Sequence, residues 1–133
     1  MISIENQVYT GLSTALTTYD ENIQTSGVFT NTPSSYPFVS IEEIDNAPYT
    51  LGMDSCKIEN FVSVAYEIIV FVKNQNLKKS NANSIANVVD TYMQGLGFIR
   101  DMKYARQNDD ETDYRIYLRY SAVVSSKEEI YRR

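Results

Sequence analysis

The chain has 133 residues, 43% hydrophobic and 22% charged, which is the size and composition of a single domain, residues 1–133, with a continuous apolar core. A net charge of −5 argues against sequence-specific or non-specific nucleic-acid binding, because the field of the whole molecule does not attract phosphate. The single cysteine, Cys56, excludes an intrachain disulfide, and the absence of histidine excludes the usual nucleophilic triads. The longest apolar stretch, residues 68–72, is far shorter than the roughly 20 residues that span a membrane, so we expect no membrane partner.

The first predicted element is an amphipathic helix over residues 1–19, with Ser3 as its N-cap. Gly11 lies inside it and disfavours the helix by about 1 kcal/mol relative to alanine. We therefore expect the helix to depend on packing. Its apolar positions follow helical spacing: Ile4, Val8, Leu12, Ala15, Leu16 and Tyr19.

Residues 25–73 are predicted to hold strands and a loop. An irregular connection with a short edge strand around Val28 and Phe29 leads to a strand that starts at Phe38 and ends at a turn beginning with Asp45. After a polar loop, residues 61–72 alternate with the period of a strand. This strand becomes apolar on both faces toward its end, which indicates a central position in the sheet.

A second helix is predicted over residues 78–95, with Ser80 as its cap and Gly95 and Gly97 at its exit. Residues 98–125 follow as a β-hairpin whose acidic loop spans residues 108–113, and residues 126–133 form a tail of mixed charge. The predicted fold class is therefore α+β, in the order α-β-β-α-β-β. Two helices are expected on one face of a mostly antiparallel sheet of four or five strands, with the other face available to partners.

Two sets of acidic residues are candidates for a metal-binding or catalytic site. Asp109, Asp110, Glu111 and Asp113 could bind Mg²⁺ or Ca²⁺ in a small metal-dependent hydrolase, but they lack the EF-hand spacing, and a solvated hairpin tip is the better interpretation. Glu42 and Glu43 point to opposite faces of a strand, so only one of them can join Glu67 as a general acid–base pair. A polar or interchain ion-pair role for these glutamates is favoured.

Arginine and tyrosine alternate on the last strand, where Arg115, Tyr117 and Arg119 share one face. Arginine beside tyrosine is common at protein interfaces, and an ordinary solvated face is the equal alternative. Cys56 lacks strong neighbours that would activate its thiol, so a bystander role is favoured.

Weak motifs in a fixed order over nearly the whole chain resemble the tail terminator, or tail completion, proteins of long-tailed bacteriophages, also labelled minor capsid proteins. They are Ile4-Glu5-Asn6-Gln7-Val8-Tyr9 with Leu12, Tyr36-Pro37-Phe38-Val39-Ser40-Ile41-Glu42-Glu43 with Asp45-Asn46, Val64-Ala65-Tyr66-Glu67, the helix from Lys78 to Met93, Leu96-Gly97-Phe98-Ile99-Arg100, and Tyr117-Leu118-Arg119-Tyr120.

The resemblance implies a structural virion protein rather than an enzyme, without cofactor or metal, assembled in the host cytoplasm. Such a protein forms a homo-oligomeric ring, usually a hexamer, at the head-proximal end of the tail. It stops polymerisation of the tail tube protein and meets the head–tail connector or stopper; a connector or stopper component is the alternative. We expect its interfaces among Glu42, Glu43, Asp45, Asn46, Tyr49, Asp54, Lys57, Glu67, Asp109, Asp110, Arg115, Tyr117 and Arg119.

Overall fold

A computed structural model describes residues 4–27, 36–48, 61–73, 78–107, 113–125 and 130–131. These ranges contain two helices and six strands, with three strands after each helix. They are α1 (Glu5–Tyr19), β1 (Gln24–Ser26), β2 (Phe38–Pro48), β3 (Phe61–Lys73), α2 (Lys78–Leu96), β4 (Ile99–Gln107), β5 (Asp113–Ser125) and β6 (Ile130–Tyr131). The expected edge strand around Val28 and Phe29 lies outside the described residues, and the short strand β1 precedes it.

The strands form one sheet in the order β1-β2-β3-β5-β4. Every neighbouring pair in this order is antiparallel except β1 and β2, which run parallel. The two-residue β6 pairs with Val123 and Val124 of β5, so part of the predicted tail joins the sheet. The predicted α+β class, the hairpin of β4 and β5, and the central position of β3 are confirmed.

Both helices cover the same face of the sheet. Their inward side chains and alternate residues of the strands form one buried cluster, which includes Leu12 of α1, Val89 of α2 and Tyr66 of β3. Period-two alternation accounts for this, because the even-numbered residues of β3 and β5 all face the helices. We call this the helix face of the sheet and its reverse the outer face.

The helix ends differ from the predictions. The N-cap of α1 is Ile4 and not Ser3, and the Ile4 side chain makes no capping hydrogen bond. Ser80 lies within the first turn of α2 instead of before it. Tyr19 was expected on the apolar face but is exposed, because it is the last residue of α1.

The exit of α2 is a Schellman motif. Gly97 has φ of 107° and its N–H donates to the carbonyl of Gln94, while the N–H of Phe98 donates to the carbonyl of Met93. Only glycine adopts this φ without strain, so the predicted role of Gly97 as the helix exit is confirmed.

The outer face is not uniformly open. Phe38, Ile69 and Phe71 form a second, smaller buried cluster at one end of it, with Tyr36 and Tyr117 packed against them. The expectation that this whole face is available is therefore wrong at that end, because side chains of the chain itself cover it. In the part of the chain that the structure describes, no helix is both long and apolar enough to cross a membrane.

Candidate interaction surface

A row of charged side chains crosses the accessible part of the outer face. Glu42 of β2 lies opposite Glu67 of β3, and Glu67 lies opposite Arg119 of β5. The Arg119 Nε donates to Glu67 Oε2 at 2.9 Å, and the two side chains are 51% and 21% exposed. Of the two neighbouring glutamates, Glu42 is thus the one beside Glu67, and Glu67 forms its ion pair with Arg119 of the same chain.

Alternation places Glu43 on the opposite face from this row, and a β-bulge at Ile44 then returns Asp45 to the outer face. Glu43 pairs with Tyr66, whose side chain faces the helices, whereas Asp45 pairs with Ala65, which faces outward. The Glu43 Oε1 accepts hydrogen bonds from the Tyr66 hydroxyl at 3.4 Å and from the Asn46 amide at 3.3 Å. Burial, and then the nearby carboxylate of Glu5, raise the pKa of Glu43 despite these bonds.

Arg115 and Tyr117 share the outer face with Arg119, as their alternation predicts, but they differ from it in exposure. Arg115 is buried, and its guanidinium lies 4.7 Å from the ring centroid of Phe71. Tyr117 is partly buried and its ring contacts that of Tyr104 at a centroid distance of 6.2 Å. Arg119 is the most exposed of the three residues.

Sequence reasoning missed three exposed apolar side chains on β2 and β4. Ile44 of β2, Ile99 of β4 and Tyr104 of β4 are 42%, 40% and 52% exposed. Their strands were predicted, but the order of strands in the sheet was not, and that order is what places these residues at its margins. Exposed isoleucine and tyrosine at the margin of a sheet are typical of surfaces that meet partners.

A polar network connects α2 to β4 and β5, and it was also missed. The buried Tyr120 hydroxyl donates to Asp90 Oδ1 at 2.8 Å, Gln94 donates to Asp90 Oδ2 at 2.7 Å, and Arg100 lies 3.3 Å from Asp90 Oδ1. Burial and the Asp90 carboxylate raise the pKa of Tyr120. This network positions α2 on the sheet and belongs to the fold.

The remaining predicted interface residues divide into two groups. Asp45 is exposed and Asn46 is partly buried, both at the accessible end of β2. The others lie outside the described residues, together with Cys56 and Glu111: Tyr49, Asp54, Lys57, Asp109 and Asp110. Across the described ranges, no three acidic, cysteine or histidine side chains gather as metal ligands.

No family model matches the sequence, and no curated protein matches it. Among solved structures, the fold is similar to that of the bacteriophage SPP1 gp17 protein, with 14% identity and a TM-score of 0.46. The similarity covers 88% of this chain and 89% of that chain. A likeness of this degree transfers no function from one protein to the other.

Proposed function

We propose that this chain is a structural component of a long-tailed phage, where it forms a ring at the head-proximal end of the tail tube. In that position it ends polymerisation of the tube protein and presents a surface to the head–tail connector. The ordered motifs that resemble tail terminator proteins support the proposal.

The observation that carries the proposal is the accessible end of the outer face. There the Glu67–Arg119 ion pair lies beside Glu42, with Asp45 on the same face and the exposed Tyr104 in the next row, opposite Tyr117. Arginine and tyrosine are enriched at the centres of protein interfaces, and an ion pair on a sheet face can be desolvated there by a partner. An interaction surface of this kind is typical of a protein that functions by binding other subunits of an assembly.

The proposal is tested by polymerising the cognate tail tube protein with and without this chain and measuring tube lengths by electron microscopy. We expect tubes of uncontrolled length without it, and shorter tubes ending in a ring of added density with it. A phage from which the gene is deleted should produce overlong tails or tails not joined to heads. Normal, joined tails in the deletion strain would refute the proposal.

The same tube-length experiment distinguishes a tail terminator from a connector or stopper component. A head–tail connector or stopper component would bind purified connector complexes but leave the length of the tubes unchanged. A tail terminator would change the length of the tubes even when connectors are absent.

A further inference from the structure

The sheet ends at β4, and the outer side of this strand is open. β4 is the last strand in the order of the sheet, and within the described ranges it pairs only with β5. At the other margin, by contrast, β1 covers the first residues of β2. An edge strand that no neighbour covers presents backbone N–H and C=O groups, to which an extended segment of another protein can add as a further strand.

The described side chains of β4 that point to the outer face are apolar. They lie opposite outward-facing residues of β5 and form a stripe that consists of Ile99, Met102 and Tyr104. Met102 is half-buried, whereas Ile99 and Tyr104 are exposed. Edges that are protected from pairing usually carry charged side chains, so an exposed isoleucine and tyrosine on an open edge favour contact with a partner.

The charged side chains of β4 that point to the helix face are positive. Arg100 and Lys103 lie opposite core residues of β5. Lys103 is exposed, and its Nζ donates to Asn83 Oδ1 at 2.9 Å, a neutral amide oxygen that leaves the positive charge in place. Arg100 is also exposed, although it pairs with Asp90. The helix-face side of this edge therefore attracts negative charge.

A bulge at Asp101 interrupts β4 between Arg100 and Met102. It places Arg100 and Lys103 in successive positions on the helix face, since their partners in β5 are two residues apart. Asp101 is the sole acidic residue of the strand, so its charge does not reverse the positive balance. Bulges bend an edge strand, which limits addition to a short segment beside the regular stretch from Met102 to Gln107.

We propose that the open edge of β4 binds an extended segment of a partner protein in which acidic residues alternate with apolar ones. The side chains of an added strand alternate between the two faces of the sheet. On the helix face they meet the positive charges of Arg100 and Lys103, and on the outer face they meet the apolar stripe. Backbone hydrogen bonds to β4 supply affinity, and the alternation supplies specificity. This binding does not depend on the proposed ring.

The probe that tests the proposal is a fluorescein-labelled peptide, Val-Glu-Val-Glu-Val-Glu-Val, titrated with the whole chain at low salt and followed by fluorescence anisotropy. We expect it to bind at least about tenfold more tightly than a peptide of the same composition in which all the valines precede all the glutamates. A peptide with lysine in place of glutamate should bind no better than the rearranged one, because like charges then meet on the helix face. Equal binding of the alternating and rearranged glutamate peptides overturns the proposal.

Variants of the chain locate the binding. Lys103→Glu should weaken binding of the glutamate peptide by at least about tenfold and should improve binding of the lysine peptide relative to the wild type. Tyr104→Ser shortens the apolar stripe and should also weaken binding of the glutamate peptide.

The control is Lys73→Glu, a reversal of the same size at an exposed residue of β3, which β5 separates from β4; it should leave binding unchanged. Circular dichroism verifies that each variant is folded, and Lys103→Gln takes the place of a Lys103→Glu variant that does not fold. Binding of both peptides that is unchanged by the substitution of Lys103 overturns the proposal.

Methylation of the peptide nitrogens tests the backbone pairing. Successive residues of a strand direct their N–H groups to opposite sides, so methylation of the valines alone or of the glutamates alone removes donors from one side only. We expect one of these two peptides to lose about tenfold or more in affinity and the other to keep most of it. Bound peptide should also protect amides of residues Met102 to Gln107 from hydrogen exchange. Equal affinities of the two methylated peptides, or no added protection in β4, overturn strand addition.

Peptide binding and the control of tube length are separate measurements. A chain that binds the alternating peptide but does not limit tubes has the edge site and lacks the proposed function. A chain that limits tubes but does not bind the peptide has the proposed function and lacks the edge site.

Discussion

The hydroxyl of Tyr92 on α2 lies against the backbone of Gly11 on α1, where the two helices contact each other. A Cβ atom added at Gly11 would lie 2.8 Å from Tyr92 Cζ and still closer to the hydroxyl. Glycine therefore occupies this helix position because α2 approaches it, and the loss of helix propensity at Gly11 is offset by the contact with Tyr92.

Replacing Gly11 tests this relationship. Gly11→Ala improves helix propensity yet forces Tyr92 to move, and we expect the free energy of unfolding to fall by about 1–3 kcal/mol in urea denaturation. Gly95→Ala is the matched control, because nothing lies within 4 Å of a Cβ added there, and it should raise stability by about 0.5–1 kcal/mol. Adding Tyr92→Leu to Gly11→Ala should recover part of the loss, and strict additivity would contradict the proposed contact.

The hydrogen bond from Tyr120 to Asp90 is expected to stabilise the packing of α2 on the sheet. Tyr120→Phe removes the buried donor and should lower the free energy of unfolding by about 1–2 kcal/mol. Tyr104→Phe alters a half-exposed tyrosine and provides the control, for which we expect almost no change. Equal losses of stability in the two variants would show that the hydrogen bond from Tyr120 to Asp90 makes no specific contribution to stability.

Alkaline pH should destabilise the protein through its buried tyrosines. Burial raises the pKa of both Tyr66 and Tyr120 above the usual value of 10.0, so above pH 10 the folded state keeps protons that the unfolded state releases. The stabilisation that these raised pKa values contribute is complete below pH 10. Above pH 10 the free energy of unfolding falls by up to about 1.4 kcal/mol per pH unit for each tyrosine. The slope in denaturation experiments should become shallower in Tyr66→Phe and in Tyr120→Phe; an unchanged slope in both would contradict the assignment.

Neutralising Glu43 should stabilise the protein at neutral pH. Burial and the neighbouring Glu5 raise the pKa of Glu43 in the folded state. The contribution of Glu43 to the free energy of unfolding is therefore favourable below the unfolded-state pKa near 4.5, and it is lost as pH rises through the folded-state pKa. Glu43→Gln keeps an oxygen that can accept from Tyr66 and is expected to raise stability at pH 7 by about 0.5 kcal/mol, a small value because the carboxylate is partly exposed. Thermal melts should show the gain shrinking toward acidic pH. Asp45→Asn, an exposed neutralisation nearby, should show no comparable gain.

Arg119 should affect association more than folding if the accessible end of the outer face is an interface. Its ion pair with Glu67 is half-exposed, so Arg119→Ala should change the free energy of unfolding by less than about 1 kcal/mol. We expect the same change to weaken self-association or tube capping by about tenfold or more, since a desolvated arginine contributes strongly to binding. Lys79→Ala, on the exposed side of α2, is the control. If Arg119→Ala lowers the stability of the fold but leaves assembly unchanged, Arg119 does not lie in an interface.

Much of the fold could be predicted because the alternation of side chains is local. The strands β3 and β5 were predicted with the correct faces, since a period of two places neighbouring residues on opposite sides wherever the strand lies. The prediction that only one of Glu42 and Glu43 can join Glu67 follows from the same rule and is confirmed, and the register shows that Glu42 is the one. Helix ends were predicted less well, because Ser3 and Ser80 are good caps that the chain does not use.

Other features depend on residues distant in sequence that the pattern does not connect. The bulge at Ile44 decides that Asp45 faces outward, where unbroken alternation would turn it toward the helices. The burial of Arg115 depends on Phe71 of another strand, and the accessibility of Ile99 and Tyr104 depends on β4 being the last strand of the sheet. None of these can be read from alternation within one element.

The sequence by itself determined which residues form helices and strands and which side of each strand is apolar, because both depend on spacing along a few turns or a few residues of chain. Only the tertiary structure decided the neighbours of each strand and the close approach of Tyr92 to Gly11. Those relationships arise from packing between segments far apart in the chain, where volume, backbone geometry and desolvation act together and leave no periodic signal.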